Sequence, residues 1–227
     1  MGAPMVPEER SIMTEETPKA YQRRLELQSE PHERFRAAFA KHELIEKWCR
    51  SDDEFAIYHI GRPGSSAYHA QIMLPPRTGY IVVIGDVPNA VMKGVASSGR
   101  PVDRLKAALD LELGTYAESS RFVEKLTGGH GRGTLQAEDW EPGLAALDLE
   151  EHIQAEFENS ADRANHANLF ARLRGSISKG ARTLSTALYE NGLGEWRCGY
   201  FISSDVYYVH AALERCHQLV QAKEEKP

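Results

Sequence analysis

The chain has 227 residues, 41% of them hydrophobic, and a formal net charge of −6. This length and composition predict one globular domain with a core large enough to fold without disulfides or metal ions. The negative net charge argues against nucleic acid as the main partner, because proteins that bind mainly to phosphates are usually basic. Local basic patches are still compatible with it.

Cysteine use and hydropathy narrow the class of protein further. The three cysteines, Cys49, Cys198 and Cys216, form no CxxC pair, and their odd count suits a reducing compartment. The longest apolar runs fall far short of the roughly 20 residues that span a bilayer. The N-terminus also lacks the apolar centre of a signal peptide. We therefore expect a soluble cytoplasmic protein with no membrane partner.

The beginning of the chain mixes Pro, Glu, Thr and Met without apolar periodicity. We expect residues 1–18 to form a flexible N-terminal tail, in which Met13 is a second candidate start. Residues 19–224 are predicted to form a single α+β domain with a helical second half. From Glu33, apolar residues recur every three or four positions, which predicts a helix that ends near Cys49.

Three strand-like runs follow this helix, near residues 55–60, 68–74 and 79–84. The first two runs alternate in hydrophobicity, and the third is continuously apolar. The turn-rich sequences GRPGSS and PPRTG separate them. Short strands joined in this way predict an antiparallel meander.

The second half of the chain is predicted to be mainly helical. Helical patterns begin at Pro101 and cover residues 119–126, 148–157 and 162–188, and a final helix starts at Ser204 or Asp205. The glycine-rich segment at 128–133 is predicted to be a loop, because it lacks the lysine and the preceding strand of a phosphate loop. The fold class is therefore α+β, with a small antiparallel sheet of three or four strands packed against several helices.

No arrangement of residues in the sequence is typical of a catalytic or metal site. The sequence HELIE at residues 42–46 lacks the second histidine of a zinc-protease helix. His59 and His69 lie on neighbouring predicted strands, as in two-histidine phosphoesterases, but Gly61 and Gln71 stand where that class needs hydroxyl residues. We therefore predict no catalytic residue, metal or cofactor, and expect the protein not to be an enzyme.

The strongest candidate for a binding site lies where the most apolar predicted strand ends, at Gly85 and Asp86. The favoured interpretation is structural: Gly85 permits a turn, and Asp86 bonds backbone N–H groups in an Asx-turn. The alternative is a pocket that combines a carboxylate with a guanidinium, imidazoles and aromatic surfaces. The candidate ligand- or partner-binding residues are His59, Arg62, Tyr68, His69, Asp86 and Trp196.

The sequences GRPGSSAYHAQIML (61–74), GYIVVIGDV (79–87) and EWRCGYFISSDVYYVHAALERCHQLV (195–220) together resemble a family of uncharacterised tailed-bacteriophage proteins. The matching positions are Arg62, Pro63, Gly64, Ser65, Ser66, Tyr68, Gly85, Asp86, Glu195, Trp196, Tyr200, Ala212 and Leu213. The chain departs from the family at Ala67, His69, Cys216 and His217, and in a longer linker at 75–79. The resemblance implies a phage origin and a fold, but no established reaction.

Two hypotheses for the function follow. The first is a phage-encoded, non-enzymatic protein of the host cytoplasm that binds a host or anti-phage defence component, because an acidic surface can occupy basic sites on nucleic-acid-handling proteins. The second is a small-molecule or nucleotide binder, a sequestering protein or a weak phosphoesterase, which would use His59, Arg62, His69 and Asp86.

The helical half carries more apolar and aromatic residues than one small sheet covers, which predicts a homodimer. The residues that lead to this expectation are Phe157, Leu169, Phe170, Tyr189, Tyr207 and Tyr208. The alternative is a monomer in which the helices cover one another as well as the sheet.

Overall fold

A computed structural model describes residues 18–52, 54–65, 69–86, 89–95, 98–111, 113, 121–128, 135, 138–157, 163–193 and 198–225. The predicted N-terminal tail, apart from Pro18, lies outside the described residues. So does the predicted glycine-rich loop, apart from Gly128, which ends a strand.

The described residues form helices and short strands, and six of these strands, β1–β6, follow α1 in the first half of the chain. The helices are α1 (Lys19–Phe39), α2 (Pro101–Leu109), α3 (Arg121–Lys125), α4 (Pro142–Phe157), α5 (Arg163–Ile177), α6 (Ala181–Glu190) and α7 (Ser204–Glu224). The strands are β1 (Glu43–Leu44), β2 (Arg50–Ser51), β3 (Ala56–Gly61), β4 (Ala70–Leu74), β5 (Tyr80–Gly85), β6 (Ala90–Lys93), β7 (Leu126–Gly128), β8 (Glu138–Trp140) and β9 (Tyr200–Ile202). A 3-10 turn covers Glu46–Trp48.

The main sheet is antiparallel, with the order β1-β3-β4-β5-β6-β7. β1 and β2 pair with opposite ends of the same edge of β3. The predicted α+β class is confirmed, and the predicted meander corresponds to β3–β5. The sheet has more strands than expected, because β1, β2, β6 and β7 contain only two to four residues each. Such short strands carry too few positions for alternation to stand out.

One face of the main sheet packs against α1, α2 and α7 and forms the larger buried cluster. Every second strand residue points into it, as the two-residue period of a strand requires. These residues are Ala56, Tyr58, Ile60, Ala70, Ile72, Leu74, Ile81, Val83, Ala90 and Met92. Helix α7 is the centre of this layer, and the ring of Tyr208 lies 5.0 Å from that of Phe39 on α1. Burial of these apolar surfaces is the main stabilising contribution here.

A smaller buried cluster joins α4, α5 and α6 to the chain near the two-stranded sheet that β8 and β9 form. An ion pair connects this helical unit to α1, since Nη2 of Arg24 lies 2.5 Å from Oδ2 of Asp148, and both side chains are largely buried. Asp148 also accepts a hydrogen bond of 2.7 Å from the backbone N–H of Gly199. A buried, hydrogen-bonded ion pair therefore connects the two clusters, and removal of one partner would leave the other as a buried, unpaired charge.

Several predicted helices have different boundaries in the structure: the helix expected from Glu33 begins at Lys19, and the helix expected over 148–157 begins at Pro142. The helix expected to end near Cys49 ends at Phe39, because Leu44 and Ile45 instead hydrogen-bond to the edge of β3. The helix expected over 162–188 is divided at residues 178–180, where Gly180 has φ of +103° and cannot continue a helix. The C-terminal helix is confirmed, and the hydroxyl of Ser203 caps it by accepting from the N–H of Asp205 at 3.2 Å.

None of the described helices combines the length and the apolar composition that crossing a membrane requires.

Candidate functional site

The second face of the main sheet carries an apolar row that runs across four strands. Ile57 on β3 stands opposite Met73 on β4, Met73 opposite Val82 on β5, and Val82 opposite Val91 on β6. Each of these side chains is half-buried, and each lies outside both buried clusters. We call this face, with Ile57, His59, Gln71, Met73, Val82, Ile84 and Val91, the open face.

Aromatic side chains flank the open face. Trp48, in the 3-10 turn, is 49% exposed, and its ring packs edge-on against His59 with the centroids 5.5 Å apart. Nζ of Lys47 lies 4.7 Å from the centroid of the Trp48 ring, a cation–π contact. Tyr80 is 46% exposed and opposes Lys93 across β5 and β6. The open face therefore combines an aliphatic centre with exposed aromatic and basic groups at its borders.

Two of the predicted site residues meet where β4 begins and β5 ends. Oδ2 of Asp86 accepts a hydrogen bond of 3.1 Å from the backbone N–H of His69. This geometry supports the structural interpretation of Asp86 in part: its carboxylate does bond a backbone N–H. The bond crosses to the neighbouring strand rather than closing a local Asx-turn.

The role expected for Gly85 is wrong in its details. The φ angle of Gly85 does not lie in the left-handed region, so its backbone conformation does not require glycine. A Cβ at Gly85 would lie 2.7 Å from both the carbonyl oxygen of His69 and the hydroxyl of Tyr208. That hydroxyl donates to the same His69 carbonyl at 3.0 Å. Glycine is needed here for close approach to the neighbouring strand and helix α7.

The imidazole of His69 is engaged in the β3–β4 connection. Its Nε2 lies 2.8 Å from the carbonyl oxygen of Ser65, which can only accept, so Nε2 carries the proton. The ring lies over Gly61, where an added Cβ would come within 2.9 Å of Cε1 of His69. His59 belongs to the open face and stands opposite Gln71, and burial together with the charge of His69 lowers its pKa.

The other predicted site residues do not join this arrangement in the described part of the chain. Arg62 is exposed and directly follows β3. Tyr68 and Trp196 lie outside the described residues. Across the described ranges, no three His, Cys, Asp or Glu side chains are grouped to hold a metal ion.

A cavity of about 250 Å³ lies between the end of α7 and the β1–β2 edge. Lys223 pairs there with Glu46 at 2.9 Å, and Glu224 pairs with Arg100 at 3.2 Å. Burial raises the pKa of Tyr58. The charged groups of this cavity are thus already engaged, and His59, Arg62, His69 and Asp86 are not among its lining residues.

Sequence reasoning missed the open face itself. The available signal was the continuous apolar run of β5, in which Val82 and Ile84 are apolar although Ile81 and Val83 already supply the core side. An antiparallel strand with one solvated face normally alternates apolar and polar residues. Apolar residues on both faces of β5 therefore distinguish it from a strand with one solvated face.

Comparison with known proteins adds no relative. No protein-family model matches the chain. No curated protein is significantly similar to it. No solved structure matches it either.

Proposed function

We propose that this protein is a non-enzymatic binding protein and that the open face is its docking surface for a partner protein. The observation that carries the proposal is the apolar row Ile57–Met73–Val82–Val91, which continues across four strands on the face away from the larger cluster. A contiguous apolar patch rimmed by polar residues is typical of an interaction site.

The residue types on the open face favour a protein over a small molecule. Interface cores are depleted of charged residues and enriched in aromatic residues, Met and Arg. The open face has Met73 at its centre, and Trp48 and Tyr80 are exposed at its borders. Exposed tryptophan and tyrosine are the residues that most often dominate binding energy. A broad, shallow sheet face also differs from the concave pockets that hold small ligands.

The expected partner is a host or anti-phage defence protein. This expectation depends on the resemblance of the chain to phage proteins. The nucleotide-binding and phosphoesterase alternatives stay predictions, and mass spectrometry of small molecules released from the purified protein tests them.

The proposal is tested by placing charges on the open face. Met73→Glu combined with Val82→Glu should abolish capture of the partner from cells that express the protein, because two carboxylates would have to be desolvated in the interface. The matched control is Ser29→Glu with Ala37→Glu, which adds the same charge at exposed positions of α1. Equal recovery of the same proteins by both variants would contradict the proposal, provided that both melt as the parent does.

A further inference from the structure

The helical pair α5–α6 has a charge opposite to that of the whole chain. From Arg163 to Glu190 the sequence contains five basic residues, namely Arg163, Arg172, Arg174, Lys179 and Arg182, and one acidic residue, Glu190, at the end of α6. This segment therefore contributes +4 to a net charge of −6, so the rest of the chain carries −10. The average charge of the protein conceals a concentrated basic segment.

Four of the five basic residues of this pair have side chains that the structure describes, and all four are exposed. Arg172, Arg174, Lys179 and Arg182 all lie on the surface. Elsewhere, exposed arginines such as Arg34, Arg77 and Arg100 each lie 3.1–3.2 Å from a carboxylate oxygen. Within the described ranges, no ion pair engages the four basic residues of α5–α6.

Two of these basic residues lie at the end of α6 where a positive charge is unfavourable. Lys179 and Arg182 flank the N-terminus of α6, where the helix dipole is positive and disfavours cations. The first turn of α6 contains no acidic residue, and no side chain caps its N–H groups. The resulting positive potential is suited to an external anion, because uncapped N–H groups and cations attract phosphate together.

The outward side of α6 is suited to a groove of nucleic acid. Leu184 and Leu188 are buried, whereas Arg182, Ser185, Thr186 and Tyr189 are exposed and follow helical spacing along one stripe. Tyr189 is 70% exposed. Arginine, hydroxyl and tyrosine side chains are the usual donors to DNA phosphates and base edges.

The connection between the two helices is also of a suitable kind. Residues 178–180, with Gly180 at their end, join α5 to α6. A three- to four-residue turn that often contains glycine is also found in helix-turn-helix units, whose second helix enters the major groove of DNA.

We propose that the α5–α6 pair binds duplex DNA through phosphate contacts from Arg174, Lys179 and Arg182. The partner is DNA rather than an acidic protein, because the stripe on α6 offers donors without an apolar centre, unlike the open face. This site is separate from the proposed protein-docking surface and stands or falls independently of it.

The test is fluorescence anisotropy of the full chain with a labelled duplex DNA of about 20 base pairs, over salt concentrations from about 50 to 200 mM. We expect micromolar binding that weakens steeply with salt, as counterion release requires. The combined change Arg174→Gln, Lys179→Gln and Arg182→Gln should weaken binding at least roughly tenfold and flatten the log–log salt slope by about two to three.

The matched control is Arg34→Gln, Arg77→Gln and Arg100→Gln, which removes the same charge from exposed arginines that are ion-paired. This control should bind DNA within about twofold of the parent, since those arginines lie outside the proposed site. The three single α5–α6 substitutions are measured as well, so that a folding defect in the triple variant cannot hide the result. Absence of salt-dependent binding, an equal loss in the control, or tighter binding to vesicles of anionic lipid would each overturn the proposal.

Discussion

Met73 on β4 stands directly opposite Val82 on β5, at the centre of the sheet face that lies outside both buried clusters. Their strand neighbours Ile72 and Val83 are also opposite each other, but point into the main core and are almost fully buried. The same two strands therefore offer apolar pairs on both faces. The pair Ile72–Val83 belongs to the main core, and the pair Met73–Val82 belongs to the proposed docking surface.

Gly85→Ala should destabilise the fold by about 1–3 kcal/mol, the usual cost of overpacking. The added Cβ would lie 2.7 Å from the His69 carbonyl oxygen, a backbone atom that cannot move without breaking the β4–β5 pairing. Urea denaturation measures the loss. Gly175→Ala is the control, because a Cβ there has no neighbour within 4 Å, and alanine favours the α5 helix. Equal stability of Gly85→Ala and the parent would refute the close-approach account.

Asp86→Ala should cost about 1 kcal/mol, since the exposed carboxylate accepts one hydrogen bond from the His69 backbone. Asp86→Asn should retain most of this stability, because the amide oxygen can accept the same bond. Thermal denaturation of both variants provides the comparison. If Asp86→Asn lost partner binding at an unchanged melting temperature, the carboxylate would have a recognition role as well.

Arg104→Met should be strongly destabilising, by about 3–5 kcal/mol, because it leaves buried carbonyl groups without their hydrogen-bond donor. The guanidinium of Arg104 is 1% exposed and donates to the carbonyl oxygens of Glu54, Pro75, Thr78 and Tyr80 at 2.9–3.1 Å. Arg104→Lys should recover only part of the loss, since an ammonium has three donors. Arg100→Met is the control. Its side chain is exposed and ion-paired, so we expect little change in stability, and a similar loss in both variants would contradict this account.

His210 should make the fold sensitive to mild acid. Burial lowers its pKa to about 4, with His32 and Arg36 acting in the same direction and Glu214 opposing them. Between pH 6.5 and about 4 the unfolded chain binds the proton and the folded chain does not. The contribution of neutral His210 to the free energy of unfolding is therefore full above pH 6.5 and is lost as the pH falls towards 4.

His210→Gln removes this titration while keeping a neutral polar side chain. We expect the parent to lose on the order of 2 kcal/mol more than the variant between neutral pH and pH 4. Urea denaturation at several pH values supplies the two curves, and the shared carboxylates cancel in their difference. Parallel curves for the two proteins would show that His210 titrates normally.

Local patterns predicted the parts of the fold that depend on local sequence. The β3–β5 meander follows from alternation and turn residues, and helix α7 begins at Ser204, one of its two expected first residues, with Ser203 as its cap. Trp48 illustrates what could not be predicted: its helical spacing suggested a core position, yet the chain turns into an edge strand and leaves the ring half-exposed. The position of Trp48 is decided by the pairing of its neighbouring segments with β3, and the spacing of apolar residues does not predict that pairing.

Part of the candidate site could also be predicted from the sequence. The meander correctly implied that the residues flanking β4 and β5 lie together, and His69 and Asp86 do. The open face depends on register, which only the assembled sheet fixes. For the predicted dimer, two of the residues behind it, Tyr207 and Tyr208, are buried within the same chain, whereas Tyr189 is exposed. The dimer itself stays a prediction.

Site-specific photocrosslinking tests the central claim, that the open face binds a partner protein, most directly. A benzophenone amino acid is placed at Val82 in one variant and at Ala37, an exposed position on α1, in another, and both are irradiated in living cells. We predict a crosslinked species heavier than the 25.4 kDa chain that contains a second, different protein, from Val82 and not from Ala37. No crosslink at Val82, or one that contains only this chain, would contradict the account.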